Sequence, residues 1–132
     1  MVVGSTGTGK STLIGTLTNE DVEANAGTDS VTVGSALYRG SDGGLAFVDT
    51  QGFEDSKGCT DEDIYADLML FLKDGGVTRV KAVVWCTEPS GRKTSTLQRQ
   101  AGFIAQFGPD IWKNVVIQVK RRKELHWLHF LI

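Results

Sequence analysis

Gly4-Ser5-Thr6-Gly7-Thr8-Gly9-Lys10-Ser11 decides how this chain is read. The stretch fits GxxxxGK[ST] at every position, the pattern of a loop that wraps nucleotide phosphates. Its glycines permit backbone conformations closed to other residues, so that amide N–H groups can turn inward toward phosphate oxygens. A helix opening at Lys10 adds its positive dipole end. On this reading Gly4, Ser5, Thr6, Gly7, Thr8, Gly9, Lys10, Ser11 and Thr12 bind nucleotide. Lys10 reaches the β- and γ-phosphates and counts as catalytic, and the Ser11 hydroxyl ligates Mg²⁺. The alternative is an accidental match in a chain with 16 glycines. Context argues against it: an apolar stub, residues 1–3, precedes the loop, and Leu13, Ile14 and Leu17 follow at helical spacing over 10–17.

The pattern continues outward from there. Residues 19–30 are polar and read as a loop. Residues 31–38 read as a strand, turned back by 39–44, where Asp42-Gly43 is a hairpin signal. Residues 45–48 form the next strand and run into Asp49-Thr50-Gln51-Gly52. After a second polar loop, Thr60 and Asp63 have the spacing of a capping box. The helix they open carries Ile64, Leu68, Phe71 and Leu72, with Gly75 as its C-terminal cap. Residues 80–86 are nearly all apolar, as in a parallel strand buried on both faces. Thr94 or Ser95 can cap a helix that uses Leu97, Ala101, Ile104 and Ala105 and stops at Gly108-Pro109; residues 115–119 are a last strand. The order β-α-β-β-α-β-α-β predicts an α/β three-layer sandwich, doubly wound and mostly parallel, with 31–38 as an antiparallel edge strand. Residues 1–119 are its domain, and 120–132 are an atypical basic, then apolar, tail.

Composition narrows the function classes. A net charge of −2 gives no overall footprint for nucleic acid. Cys59 and Cys86 have neither disulfide-framework nor metal-ligand spacing, and are expected to be free thiols of a cytoplasmic protein. No apolar run approaches the ~20 residues of a membrane span, and the first residues do not read as a secretory h-region, so neither feature is expected.

Asp49-Thr50-Gln51-Gly52 ends an apolar strand, where open α/β sheets place ligands. A carboxylate there can hold the Mg²⁺ shell, and the Gly52 amide can reach the γ-phosphate. DxxG alone is weak, but about 40 residues after the phosphate loop it becomes specific. Together, GSTGTGKST, the Ser30-Val31-Thr32 segment and FVDTQGF resemble the immunity-associated GTPases, septins and chloroplast-envelope translocon GTPases, and related fungal G-domain proteins in which Lys113-Asn114-Val115-Val116-Ile117 also has a counterpart. The resemblance covers residues 1–119. It implies a G domain that binds GTP or GDP with Mg²⁺ and acts as a switch or slow GTPase. It also implies that Thr32 is the switch threonine that ligates Mg²⁺ in the triphosphate state, with Thr28 as a rival, and that Asp49 and Gly52 are the second-motif pair. Phe53 stands where Ras-like relatives place the glutamine that orients attacking water, so hydrolysis is expected to be slow or assisted. A further implication is a G-domain homodimer formed near Trp85, Cys86 and residues 87–93.

The pattern breaks at the guanine-reading motif. The closest register is Lys120-Arg121-Arg122-Lys123-Glu124-Leu125, which puts Lys123 where an Asp should accept two bonds from guanine. The ending at 132 then reads as a truncated G domain, its tail without a partner in the order of elements. His126 and His129 lack further ligands for a metal site, and the basic-apolar tail is not expected to touch membrane. Two other classes stay open at this point: an ATP-binding P-loop enzyme, and a non-catalytic remnant that binds nucleotide weakly.

Overall fold

Strand side chains alternate between the two faces of a sheet, and in this chain both alternating sets are apolar. Val2, Tyr38 and Cys86 gather on one face with Ile14. Val3, Leu37, Val48 and Val83 gather on the other with Leu68, Phe71, Leu72, Phe103 and Ile104. A sheet apolar on both sides must be covered on both, and the computed structural model shows that arrangement. It describes residues 1–5, 7–19, 31–32, 34–40, 44–50, 58–88, 94–120 and 128–131.

The elements run β1 (Val2–Gly4), α1 (Lys10–Thr18), β2 (Val31–Thr32), β3 (Ser35–Arg39), β4 (Ala46–Asp49), α2 (Asp61–Asp74), β5 (Val83–Thr87), α3 (Thr94–Ala105), a 3-10 turn (Pro109–Asn114), β6 (Val115–Val119) and β7 (Leu128–Leu131). They build one sheet in the order β2-β3-β4-β1-β5-β6-β7. Pairing is parallel from β4 through β1 and β5 to β6, and antiparallel at β2–β3, β3–β4 and β6–β7. Helix α1 covers one face and α2 and α3 the other, so the predicted α/β sandwich is the architecture found.

Several local expectations are corrected. The single strand expected over 31–38 is a hairpin, because a turn at Gly34 folds Thr32 back onto Ser35. Leu17, expected on the apolar face of α1, is half exposed. Thr18 is buried in that helix instead, its hydroxyl donating to the Ile14 carbonyl at 2.8 Å. The buried side of α3 is Gln100, Phe103 and Ile104, while Ala105 is exposed. The C-terminal residues were expected to find no partner. Residues 128–131 instead pair antiparallel with β6, Gln118 opposite His129, and extend the sheet by one strand.

Other expectations hold. Thr60 and Asp63 form the reciprocal capping box, with Thr60 N–H donating to Asp63 Oδ2 at 2.9 Å. Gly75 is the C-cap of α2, and Gly108 precedes the turn that ends α3. Tyr65, Phe103 and Phe107 meet edge to face at 5.4 to 6.1 Å and join α2 to α3. Phe103, the fully buried one of the three, contributes about 1.5–3 kcal/mol of transfer free energy.

Candidate functional site

Parallel strands ending side by side make a crevice at their carboxyl edge. Here β1, β4 and β5 end together at Gly4, Asp49 and Thr87, and the loop from Gly4 to Gly9 leaves from the middle of that edge. Gly7 and Gly9 have φ of +80° and +89°. These left-handed values favour glycine and let successive N–H groups form an anion-binding concavity. Gly9 is also the N-cap of α1 and has no side chain to offer its first turn, which leaves those donors for an external acceptor.

The loop is organised around the carbonyl of Ser5. It accepts from Thr8 Oγ1 at 2.7 Å, from the Thr8 amide at 3.3 Å and from Lys10 Nζ at 3.1 Å. Ser5 and Thr8 are buried and Lys10 is half-buried, so the ammonium lies folded over the loop it would share with phosphate. Ser11 Oγ donates to Asp49 Oδ2 at 3.1 Å, joining the phosphate loop to the second motif. Asp49 Oδ1 is buried and has no hydrogen-bond partner among the described residues. Burial pushes the Asp49 carboxyl above its ordinary range, while the Lys10 charge and the Ser11 hydroxyl pull it back. Thr50 anchors the end of β4 to β1, its hydroxyl donating to the Val2 carbonyl at 2.9 Å.

The structure therefore brings Ser5, Thr8, Lys10, Ser11 and Asp49 together, with Gly4, Gly7 and Gly9 in the backbone that carries them. Thr12 is exposed in the first turn of α1. Thr32 lies on β2, the edge strand, two strands out from β4. Val31 is opposite Ala36, and Ala36 opposite Asp49, so Thr32 is near the level of Asp49 but about 10 Å to the side by strand spacing. Thr6, Thr28, Gly52, Phe53 and Lys123 fall outside the described residues.

Residues that the sequence reading did not place complete the picture. Lys120 Nζ donates to the Gly7 carbonyl at 2.9 Å, so the end of β6 also rests on the phosphate loop. Gln100 Nε2, from the middle of α3, donates to Ser5 Oγ at 2.9 Å. The only sequence signal for Gln100 was a polar residue at a core-spaced position, three and four residues before Phe103 and Ile104. Cys86 lies beneath the loop; burial pushes its thiol up to about 12, which keeps it protonated and unreactive near neutral pH.

A phosphate loop at the carboxyl edge of a doubly wound sheet, bonded to an aspartate at the end of a neighbouring strand, defines a P-loop nucleotide-binding protein of the G-domain type. The model of the 50S ribosome-binding GTPase family matches residues 1–119, and the chain belongs to that family. Its ligands are accordingly GTP and GDP. No match is found among curated proteins. Among the described residues no helix is long and apolar enough to cross a membrane.

Proposed function

We propose that this chain is a Mg²⁺-dependent, GTP-operated switch with slow intrinsic hydrolysis. The observation that carries the reading is Asp49 Oδ1, a buried carboxylate oxygen with no hydrogen-bond partner among the described residues, beside the Ser11 hydroxyl. Leaving such an atom unpaired is costly, and a hard cation is the partner that both oxygens suit. Ser11 and Asp49 would hold Mg²⁺, directly or through water, and the ion would offset the charge of the β- and γ-phosphates. Lys10 supplies a second positive charge, and the donors at the start of α1 orient the phosphates.

Thr32 fits the switch role through its distance. On an edge hairpin near the level of Asp49 but about 10 Å to its side, it would reach the ion only when that hairpin moves inward, a step that triphosphate favours and diphosphate does not. Gly52 would report the γ-phosphate from the other side. The aromatic Phe53 cannot orient water, which favours slow hydrolysis or completion of the site by a second G domain. The resemblance to the immunity-associated group favours such pairing, in a cytoplasmic protein.

Titrating Mg²⁺ against a fluorescent GTP analogue tests the reading. Parent affinity should rise with Mg²⁺, and Asp49→Asn should lose that rise while keeping its Mg²⁺-free affinity. The same Mg²⁺ dependence in both proteins would sink it.

A further inference from the structure

Gln100 is a long polar side chain in the centre of α3, 1% exposed, among Phe103, Ile104 and the strands they cover. An amide in such surroundings is costly unless its groups are satisfied. Both of its ends are. Trp85 Nε1 donates to Gln100 Oε1 at 2.8 Å, and Gln100 Nε2 donates to Ser5 Oγ at 2.9 Å. An indole N–H can only donate, so it fixes which end of the amide faces β5 and turns the NH₂ toward the phosphate loop.

Ser5 is the residue whose carbonyl gathers Thr8 and Lys10. It is itself 1% exposed and leads directly into the glycine-rich turn. Among the described residues its side chain has one hydrogen-bond partner, the Gln100 amide. Replacing Gln100 by an apolar residue would fill a similar volume but remove a tether on Ser5, the residue whose backbone carbonyl accepts from the Lys10 ammonium.

We propose that Gln100 is a positioning residue of the nucleotide site: it locks Ser5, holds the phosphate loop in its binding form, and couples the state of that loop to Trp85. The inference rests on the loop being the GTP site. It assigns α3, which supplies no residue to the two sequence motifs, a part in nucleotide affinity.

The test uses the full chain as parent, Gln100→Met, Ser5→Ala and the double variant, with a fluorescent GTP analogue in Mg²⁺ as probe. Gln100→Met should weaken binding about 5- to 10-fold, Ser5→Ala by a similar factor, and the double variant no further, because all three remove the bond between Gln100 and Ser5 that reaches the loop. Addition of GTP should change the tryptophan emission of the parent. That change should be absent in Trp85→Phe, which identifies its source, and in Gln100→Met, although a residue that served packing alone would leave it in place.

Parental affinity and a parental emission change in Gln100→Met would overturn the proposal, as would losses that add in the double variant. If Gln100→Met does not fold, Ser5→Ala decides, since it breaks the same bond while leaving α3 and its bond to Trp85 intact: parental affinity there overturns the proposal. A parent that fails to bind the probe would remove the reading of the loop itself. A parent that binds, with both single variants unaffected, would remove this inference alone.

Discussion

Replacing Gly4 by alanine should unlock the sheet at the point where the phosphate loop leaves it. Gly4 lies opposite Cys86 in the parallel pairing of β1 with β5. A Cβ built on it would stand 2.4 Å from the Cys86 carbonyl oxygen, 2.8 Å from Thr8 Oγ1 and 3.1 Å from Cys86 Cβ. The first of these is about 1 Å inside ordinary contact, and the atom it meets is backbone, which cannot rotate away. Relief requires the ends of β1 and β5 to part, and requires Thr8 to leave its 2.7 Å bond to the Ser5 carbonyl. Overpacking of a tight core costs about 1–3 kcal/mol, and the lost buried bond about 1 kcal/mol more. The variant should therefore lose about 2–4 kcal/mol, a large part of a small domain's ~5–15 kcal/mol. Urea denaturation measures this: at a slope of about 2 kcal/mol/M the midpoint should fall by about 1–2 M with the slope unchanged. GTP affinity should fall too, since Thr8 and Ser5 shape the loop. A Gly4→Ala protein with the parental midpoint and parental affinity would refute the close-approach argument.

Gly102→Ala is the contrast: the added Cβ meets nothing within 4 Å on α3, so the change should raise stability by about 0.5–1 kcal/mol in the same denaturation assay. Lys10→Ala removes a charge-assisted contact to phosphate and should weaken triphosphate binding by about 2 kcal/mol, roughly 30-fold, in fluorescence titration. Because burial raises the Asp49 pKa, the folded domain holds that proton more tightly than the unfolded chain. Its contribution to stability is complete below the ordinary value of 3.8 and is lost as pH rises through the raised value. Without nucleotide and Mg²⁺, Asp49→Asn should flatten that part of the pH profile and melt higher than the parent at neutral pH; an unaltered profile would count against burial as the cause.

Much of the fold was legible because its strands and helices carry strong, simple periods. The near-continuous apolar run at 80–86 announced a strand covered on both sides; the strand found is Val83–Thr87, and within it Val83 and Cys86 face opposite layers. The capping box at Thr60 and the stop at Gly108-Pro109 were readable because caps and breakers act within a few residues. What was missed depends on contacts that local patterns do not encode. Residues 31–38 have the composition of one strand, yet the chain turns at Gly34 and pairs with itself. Residues 128–131 lack any local signal that tells a paired edge strand from an unattached apolar end, since the partner that decides it is β6.

At the site, the sequence named the residues of the two motifs but not the residues that hold the loop between them. GxxxxGK[ST] is legible because the ligand dictates glycine, lysine and hydroxyl at fixed spacing. Asp49 was legible as the end of the DxxG strand, and its carboxylate accepts from the Ser11 hydroxyl. Gln100 and Lys120 were not, because no ligand dictates them: they answer to the loop's own carbonyl and hydroxyl groups, at sequence separations of 95 and 113 residues. A loop rich in glycine has little intrinsic preference for one shape. Its shape must then come from outside, and here it comes from three directions: Asp49 of β4 through Ser11, Gln100 of α3 through Ser5, and Lys120 at the end of β6 through Gly7. Each support sits on a different element, so the packing of the whole sheet edge, as well as the eight residues of the motif, sets the shape of the loop.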